Sequence, residues 1–491
     1  MPSSTPQGAA NAVLSTPSSG APARPAARGV LVALSLGMLL PSLSASIANV
    51  ALPSLAQAFA APFASVQWVV IAYLLTITAL VVSAGRLGDL IGRRRLLLVG
   101  LAVFALGSAL GGAASGLWPL VAARVVQGVG AAIMMALTLA LVSEVVPQGR
   151  AGSAMGVLGT VSAVGTALGP ALGGLLIGAW GWPAVFWLNV PLGLVALAMV
   201  WRHLPDDRPA GPSPARPRAP RFDLIGTALL SFTLTSYALA MTLGQGRWGA
   251  LNAGLLLVAV AGGAAFVWAQ RRAVAPLVRL ALLREPVLAA GFATSALVTA
   301  VVMATLVVGP FYLAGALGLD ALRLGLVMSV GPAVAALVGA PAGRLVDRRG
   351  APRVGAAGLM LMFAGSVALP FSSAVWGVAG YAAALALITA GYAAFQAANN
   401  TAVMAHAGAD QRGVVSGLLN LSRNLGLITG ASVMGAVFQA GASMQPLAAA
   451  SPLALTAGLR LSFWVAAGFV ATAGLVTLLA RTANRRQADA H

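Results

Sequence analysis

The chain has 491 residues, 59% of them hydrophobic and only 8% charged, with a formal net charge of +19. A soluble protein of this length needs more polar surface, and the long uncharged runs are of a length to cross a bilayer, so the composition reads as a polytopic helical membrane protein. A transmembrane barrel would show short alternating segments of about ten residues, which the sequence lacks. With no cysteine, disulfides, thiolate metal sites and cysteine nucleophiles are excluded.

Residues 1–28, rich in Pro, Ser and Ala, read as a disordered cytoplasmic tail. A cleaved signal peptide is not expected, because the apolar run from Gly29 is long and leads into further spans. Fourteen spans are predicted, near 30–51, 66–85, 96–115, 118–142, 152–178, 184–203, 223–243, 250–269, 287–313, 324–342, 354–373, 376–402, 413–439 and 458–480. The expected organisation is a six-helix bundle over 29–203, a linker over 204–286 holding two inserted helices, a second six-helix bundle over 287–480, and a cytoplasmic tail over 481–491.

All 29 basic residues are arginine, and a cytoplasmic amino terminus puts 24 of them inside, three outside (Arg247, Arg323, Arg460) and two within spans (Arg124, Arg423). That bias is the one the positive-inside rule expects. Scattered over short loops, these arginines act as topology signals and not as a nucleic-acid surface. The three histidines, at 203, 406 and 491, are too dispersed for a metal site.

The densest charge cluster is Gly85-Arg86-Leu87-Gly88-Asp89-Leu90-Ile91-Gly92-Arg93-Arg94-Arg95, between two apolar runs. It cannot lie in hydrocarbon, so it predicts a tight water-facing turn between two helices. Its spacing recurs 258 positions on, as Gly343-Arg344-Leu345-Val346-Asp347-Arg348-Arg349-Gly350. A second string, Gly152, Gly156, Gly165, Gly169 and Gly174, recurs 261 positions on, as Gly413, Gly417, Gly426, Gly430 and Gly435. Two strings repeated in the same order predict duplicated helix bundles.

These residues carry a family resemblance over nearly the whole chain. The first charged turn resembles the signature turn between helices 2 and 3 of the major facilitator superfamily, and Gly343 to Arg353 resembles its weaker second copy. Twelve spans in two halves with two between them resemble the fourteen-span drug:proton antiporter branch of that superfamily. The resemblance implies a cytoplasmic latch built from Gly85, Arg86, Asp89, Gly92, Arg93, Arg94, Gly343, Arg344 and Asp347. The bland alternative for the same residues is a topology anchor.

In the fifth span, Gly165, Gly169 and Gly173 fall on one helix face, where a neighbouring backbone can approach, and Pro170 removes a hydrogen bond and bends the helix. Ordinary small-residue packing also gives such a stripe. With Gly156 and Gly174 the string resembles the antiporter signature of the family, and Pro170 has no second-half counterpart, since position 431 is alanine.

Arg124, Gln127, Gly128 and Gly130 match the family's Arg-x-x-Gln-Gly motif. About two turns from the outer boundary, Arg124 either snorkels to the headgroups or faces a cavity, where it touches substrate or tunes a proton site. The first span ends in Asn49-Val50-Ala51-Leu52-Pro53, as in the family, but Ser44 stands where many drug:proton antiporters have an aspartate. The family lines its central cavity with the first and fourth helices of each half, which makes Ser44, Asn49, Arg124, Gln127, Thr299, Tyr312, Gln396 and Asn399 candidates by resemblance. Arg423 joins them as the second charge within a span.

None of the ten carboxylates falls at mid-span, so the cavity is expected to be neutral to positive and to favour neutral or anionic substrates over permanent cations. Proton coupling would then use a boundary carboxylate such as Asp89 or Glu144, or a proton carried by the substrate.

The reading is a secondary active transporter of the bacterial inner membrane, both termini cytoplasmic, acting as a monomer and exporting small lipophilic compounds on the proton gradient by alternating access. The alternative is uptake or facilitated transport of a neutral or anionic metabolite. No cofactor is expected, and without a lysine the chain holds no phosphate-binding Gly-x-x-x-x-Gly-Lys-Ser/Thr string. A membrane-embedded enzyme would need a cluster of acid, base or nucleophile residues at membrane depth, which the sequence does not offer. A passive channel fits a two-halved repeat less well than rocking does.

Overall fold

A backbone in hydrocarbon must satisfy its own hydrogen bonds, and every regular element among the described residues is helical. The computed structural model describes residues 24–145, 151–206, 223–243, 249–273, 276, 280–406, 412–442 and 450–489. The tail up to residue 23, most of the Pro/Arg-rich loop, Asp207 and Asp410 lie outside the described residues, as do the side chains of Arg86, Asp89 and Glu144 and the surroundings of Gly156.

Six crossings make the first half: α1 (Arg24–Ala58), α2 with α3 (Phe63–Val66, Trp68–Ile91), α4 (Arg93–Gly112), α5 (Leu117–Val145), α6 (Ala151–Trp180) and α7 with α8 (Ala184–Trp187, Asn189–His203). Two more, α9 (Leu224–Thr242) and α10 (Ala250–Arg272), form the insertion. The second half begins with α11 (Pro286–Gly315) and α12 (Ala321–Arg349). The next element, α13 (Ala351–Ala405), holds 55 residues, far more than the roughly 20 that one bilayer crossing needs. It breaks at Gly377, where φ is 54°, into two crossings. The next crossing is α14 (Arg412–Thr429), a π-helical turn (Gly430–Met434) and α15 (Gly435–Gly441), and α16 (Pro452–Asp489) completes the fourteen.

Alternation of the crossings gives the molecule two faces. One, the arginine face, holds both charged turns; the far face holds the turns near residues 60, 115, 182, 318 and 377. Each charged turn is a single glycine: Gly92 (φ 104°) separates α3 from α4, and Gly350 (φ 82°) separates α12 from α13. Only a residue without Cβ takes that backbone without strain, so the repeated spacing has a geometric cause.

The glycine repeat is equally concrete. A methyl group at Gly165 would stand 2.8 Å from the Leu39 carbonyl oxygen, and one at Gly169 would stand 2.6 Å from Ser46, so α6 lies backbone-close on α1. Their copies do the same to the first helix of the second half: a methyl group on Gly426 would strike the Ala296 carbonyl, and one on Gly430 the Ala300 carbonyl. Hydroxyl contacts reinforce the first pair, with Ser42 and Ser162 2.6 Å apart and Ser46 donating to the Thr166 carbonyl at 2.7 Å.

The last glycine of each string looks to the opposite half. Gly174 abuts Ala321 and Gly325 of α12, and Gly435 abuts Gln67. Phe63 packs edge-on to Phe311 with centroids 4.5 Å apart, and against Phe438 at 5.7 Å. These contacts between halves gather toward the far face.

Candidate functional site

Arg124 is 1% exposed and knits the first half together from α5. Its Nε donates to the Val69 carbonyl of α3 at 2.9 Å, and its Nη1 donates to Ser44 Oγ of α1 at 3.0 Å and to Gln127 Oε1 at 2.5 Å. Gln127 passes the chain on, donating to Ser108 Oγ of α4 at 2.7 Å. The guanidinium carbon lies 3.9 Å from the centre of the Tyr73 ring, whose hydroxyl donates to the Pro41 carbonyl at 2.9 Å. The headgroup-directed reading of Arg124 is thereby corrected: the side chain turns inward because α1, α3 and its own α5 offer it acceptors and an aromatic face.

Every partner in this set is neutral. Burying an ion costs on the order of several kcal/mol, and a desolvated cation–π contact returns about 2 kcal/mol or more. Nη2 of Arg124 and Oδ1 of Asn49 are buried and have no partner among the described residues. Asn49 itself donates to the Ala45 carbonyl one turn back, at 3.1 Å. The described carboxylates all stand at helix ends: Asp223 and Asp320 cap α9 and α12, accepting from Gly226 N at 2.7 Å and Arg323 N at 2.8 Å.

The second-half candidates do not assemble into a matching network. Thr299 donates to Ser295 of its own helix at 2.7 Å. Tyr312 stacks on Tyr381 with centroids 6.0 Å apart, joining α11 to α13. Asn399 donates to the Gly291 carbonyl at 3.1 Å, and Gln396 to the Tyr392 hydroxyl at 2.9 Å. Arg423 donates to Asn420 at 2.8 Å, apart from all of these.

At the first charged turn, the Asp89 and Arg86 side chains lie outside the described residues. Arg93 donates to the Ala140 carbonyl of α5 at 3.3 Å, and Arg94 bonds Asp206 and the Trp201 carbonyl beyond and within α8. Arg344 and Asp347 are exposed at the end of α12, Gly85 and Gly343 have open space around them, and Gly156 lies outside the described residues apart from its helix.

Sequence reasoning missed Tyr73, Ser108 and Gln67. Tyr73 and Ser108 carry no motif, and only their contacts, Tyr73 with Arg124 and Ser108 with Gln127, distinguish them. Gln67 stands 258 positions before Gly325, the offset of the charged turns, and the structure sets each against the other half's glycine helix.

Fourteen crossings in two related halves, joined near one face and organised around polar residues at membrane depth, define a polytopic transporter fold. The chain belongs to the Major Facilitator Superfamily, whose family model matches residues 34–431. It is 34% identical over 416 residues to the "Multidrug resistance protein Stp" of Mycobacterium tuberculosis, covering 84% of this chain and 75% of that one. It is 30% identical over 413 residues to the "Riboflavin transporter RibZ" of Clostridioides difficile, covering 83% and 88%. Its fold is similar to the crystal structure of a bacterial homologue of the human lysosomal transporter Spinster in an inward-facing, occupied conformation, with a TM-score of 0.70, 17% identity, and coverage of 94% and 98%.

Proposed function

We propose that this superfamily transporter exports small lipophilic compounds by alternating access, with both termini and the arginine face in the cytoplasm of a bacterium and the proton gradient as driving force. The observation that carries the reading is the one-sided union of the halves. Backbone contacts through Gly174 and Gly325 and aromatic contacts through Phe63 close the far face. Two bundles joined at one end and duplicated in sequence are built to rock. The relatives named for multidrug resistance support export.

A second reading, transport of a neutral or anionic metabolite, is favoured by the neutral partners of Arg124. The guanidinium stays charged at any working pH, so an anion gains where a permanent cation is repelled. The test is reconstitution in liposomes with an imposed pH gradient, offering a quaternary-ammonium dye and a lipophilic acid in parallel. Gradient-driven movement of the acid, with the dye slow, is the expected result. Strong movement of the dye with every boundary carboxylate dispensable would overturn the account of the site, and movement of neither would overturn proton-driven export.

A further inference from the structure

We propose that the second half holds an anionic membrane lipid at its arginine face, with one acyl chain seated in a cavity inside the bundle and the acidic headgroup at Arg481. The cavity measures about 200 Å³ and is walled by α11, both crossings of α13 and α16, through residues such as Gly291, Gly355, Phe395, Ala398 and Thr477. All its lining residues belong to the second half, so it is separate from the cleft between the halves. Protein interiors are packed nearly without voids, and an apolar cavity of about 150 Å³ is enough to take up benzene. This one has room for a stretch of hydrocarbon.

The internal repeat shows how the space arises. Contact fixes the register: a methyl on Gly130 of α5 would stand 2.6 Å from the Gly100 carbonyl oxygen of α4, and one on Gly358 would stand 2.7 Å from the Gly391 carbonyl oxygen. Positions in α4 thus recur 258 residues on, and positions in α5 recur 261 residues on. In the first half this corner is full. Leu97, Leu137 and Leu141 are buried, Arg93 donates to the Ala140 carbonyl at 3.3 Å, and Arg94 bonds Asp206 and the Trp201 carbonyl. His203 closes the end of α8 against α1, where a methyl on Gly29 would strike its ring. In the second half the positions of the three leucines and two arginines hold Gly355, Ala398, Ala402, Ala351 and Pro352, and all five line the cavity.

The wall decides what fits. Its polar side chains are spent on backbone: Thr294 donates to the Ala290 carbonyl at 2.7 Å, Asn399 to the Gly291 carbonyl at 3.1 Å and Thr477 to the Ala473 carbonyl at 2.8 Å. With those committed, the interior selects hydrocarbon. At the mouth stand His406, whose Nδ1 donates to the Ala402 carbonyl at 2.9 Å, and Arg481, whose Nη2 donates to the Pro352 carbonyl at 2.8 Å. No carboxylate lines the cavity among the described residues, so the charge at the mouth is positive and favours an acidic head. Leu478 and Leu479 of α16, beside Thr477 and Ala480 of the wall, are each 59% exposed. The mouth therefore borders the lipid-facing surface, and the ligand enters from the leaflet on the arginine face.

The site is independent of the cargo, and its test needs none. The full chain, stripped of lipid in a neutral detergent, is titrated with phosphatidylglycerol, with phosphatidylcholine of the same acyl chains and with palmitate, and binding is read by native mass spectrometry and thermal shift. Phosphatidylglycerol should bind saturably and raise the melting temperature, phosphatidylcholine should bind about fivefold more weakly, and Arg481→Gln should erase that difference. Gly355→Leu with Ala402→Leu, which restores the side chains of the first half, should lose the saturable site while the lipid-free protein melts no lower than the wild type. A methyl at Gly355 would meet only Ala398, at 3.4 Å, so the leucine grows into the cavity. Should the pair fold poorly, Ala402→Leu alone should weaken the binding. Undiminished binding by the filled variants, equal binding of the two lipids, saturable binding of palmitate alone, or no saturable binding at all would each overturn the proposal.

Discussion

Arg124 is held by what surrounds it, and removing it leaves those groups stranded. In Arg124→Ala the Val69 carbonyl, Ser44 and Gln127 lose a donor in a buried site. An unsatisfied buried group costs about 1–3 kcal/mol, so the variant should unfold at a clearly lower temperature in a detergent thermal-shift assay. Arg124→Lys should recover little, because one ammonium cannot reproduce the fork and the stack on Tyr73. Ser44→Asp acts oppositely, setting a carboxylate beside the guanidinium and cancelling its charge. Transport of a lipophilic acid in liposomes should fall and that of a cationic dye should rise; unchanged preference would remove Arg124 from substrate selection. At the charged turn, Asp89→Asn should slow turnover by about tenfold or more at normal expression, since a shift of about 1.4 kcal/mol between two conformers changes their ratio tenfold.

Along α6, the close approach to α1 ranks two substitutions. A side chain at Gly169 collides with Ser46 and with the Ile47 amide at 3.0 Å, so Gly169→Val forces the helices apart at about 1–3 kcal/mol and should abolish transport. Pro170→Ala restores a backbone hydrogen bond and should be milder. Normal transport by the valine variant in a cell-based efflux assay would contradict the contact. The stripe of Gly165, Gly169 and Gly173 was legible in sequence because helical periodicity alone puts these residues on one face. Its partner was not, because nothing in α1 announces that Leu39 and Ser46 are its counterpart. A further repeat was present and went unread: Gly100, Gly107 and Gly130, which seat α4 on α5, recur as Gly358, Gly365 and Gly391 between the two arms of α13. In a chain with 58 glycines, only contact separates such positions from background. The candidate site divides the same way. Ser44, Arg124 and Gln127 meet, whereas Thr299 and Gln396 bond within their own helices and Asn399 reaches the backbone of α11, and a shared helix number does not foretell a shared partner.

For the molecule as a whole, topology is the first thing to check. Reporter fusions after Arg95, Arg221 and Arg353 should report cytoplasm, and fusions near Arg247 and Arg460 the opposite compartment; an external signal at Arg221 would break the placement of the insertion between the halves. The break in α13 bears on how that topology is reached during synthesis. A single residue, Gly377, links two crossings. One residue reaches at most about 3.5 Å, against a hydrocarbon core of about 30 Å. Once the arm over 351–376 has crossed, the arm over 378–405 already begins at the far surface and must return. The pair therefore enters the bilayer as one hairpin. Orientation errors made upstream, at a weakly charged loop, pass through it as a unit, so the second charged turn and the loop after residue 405 are always delivered to the same side.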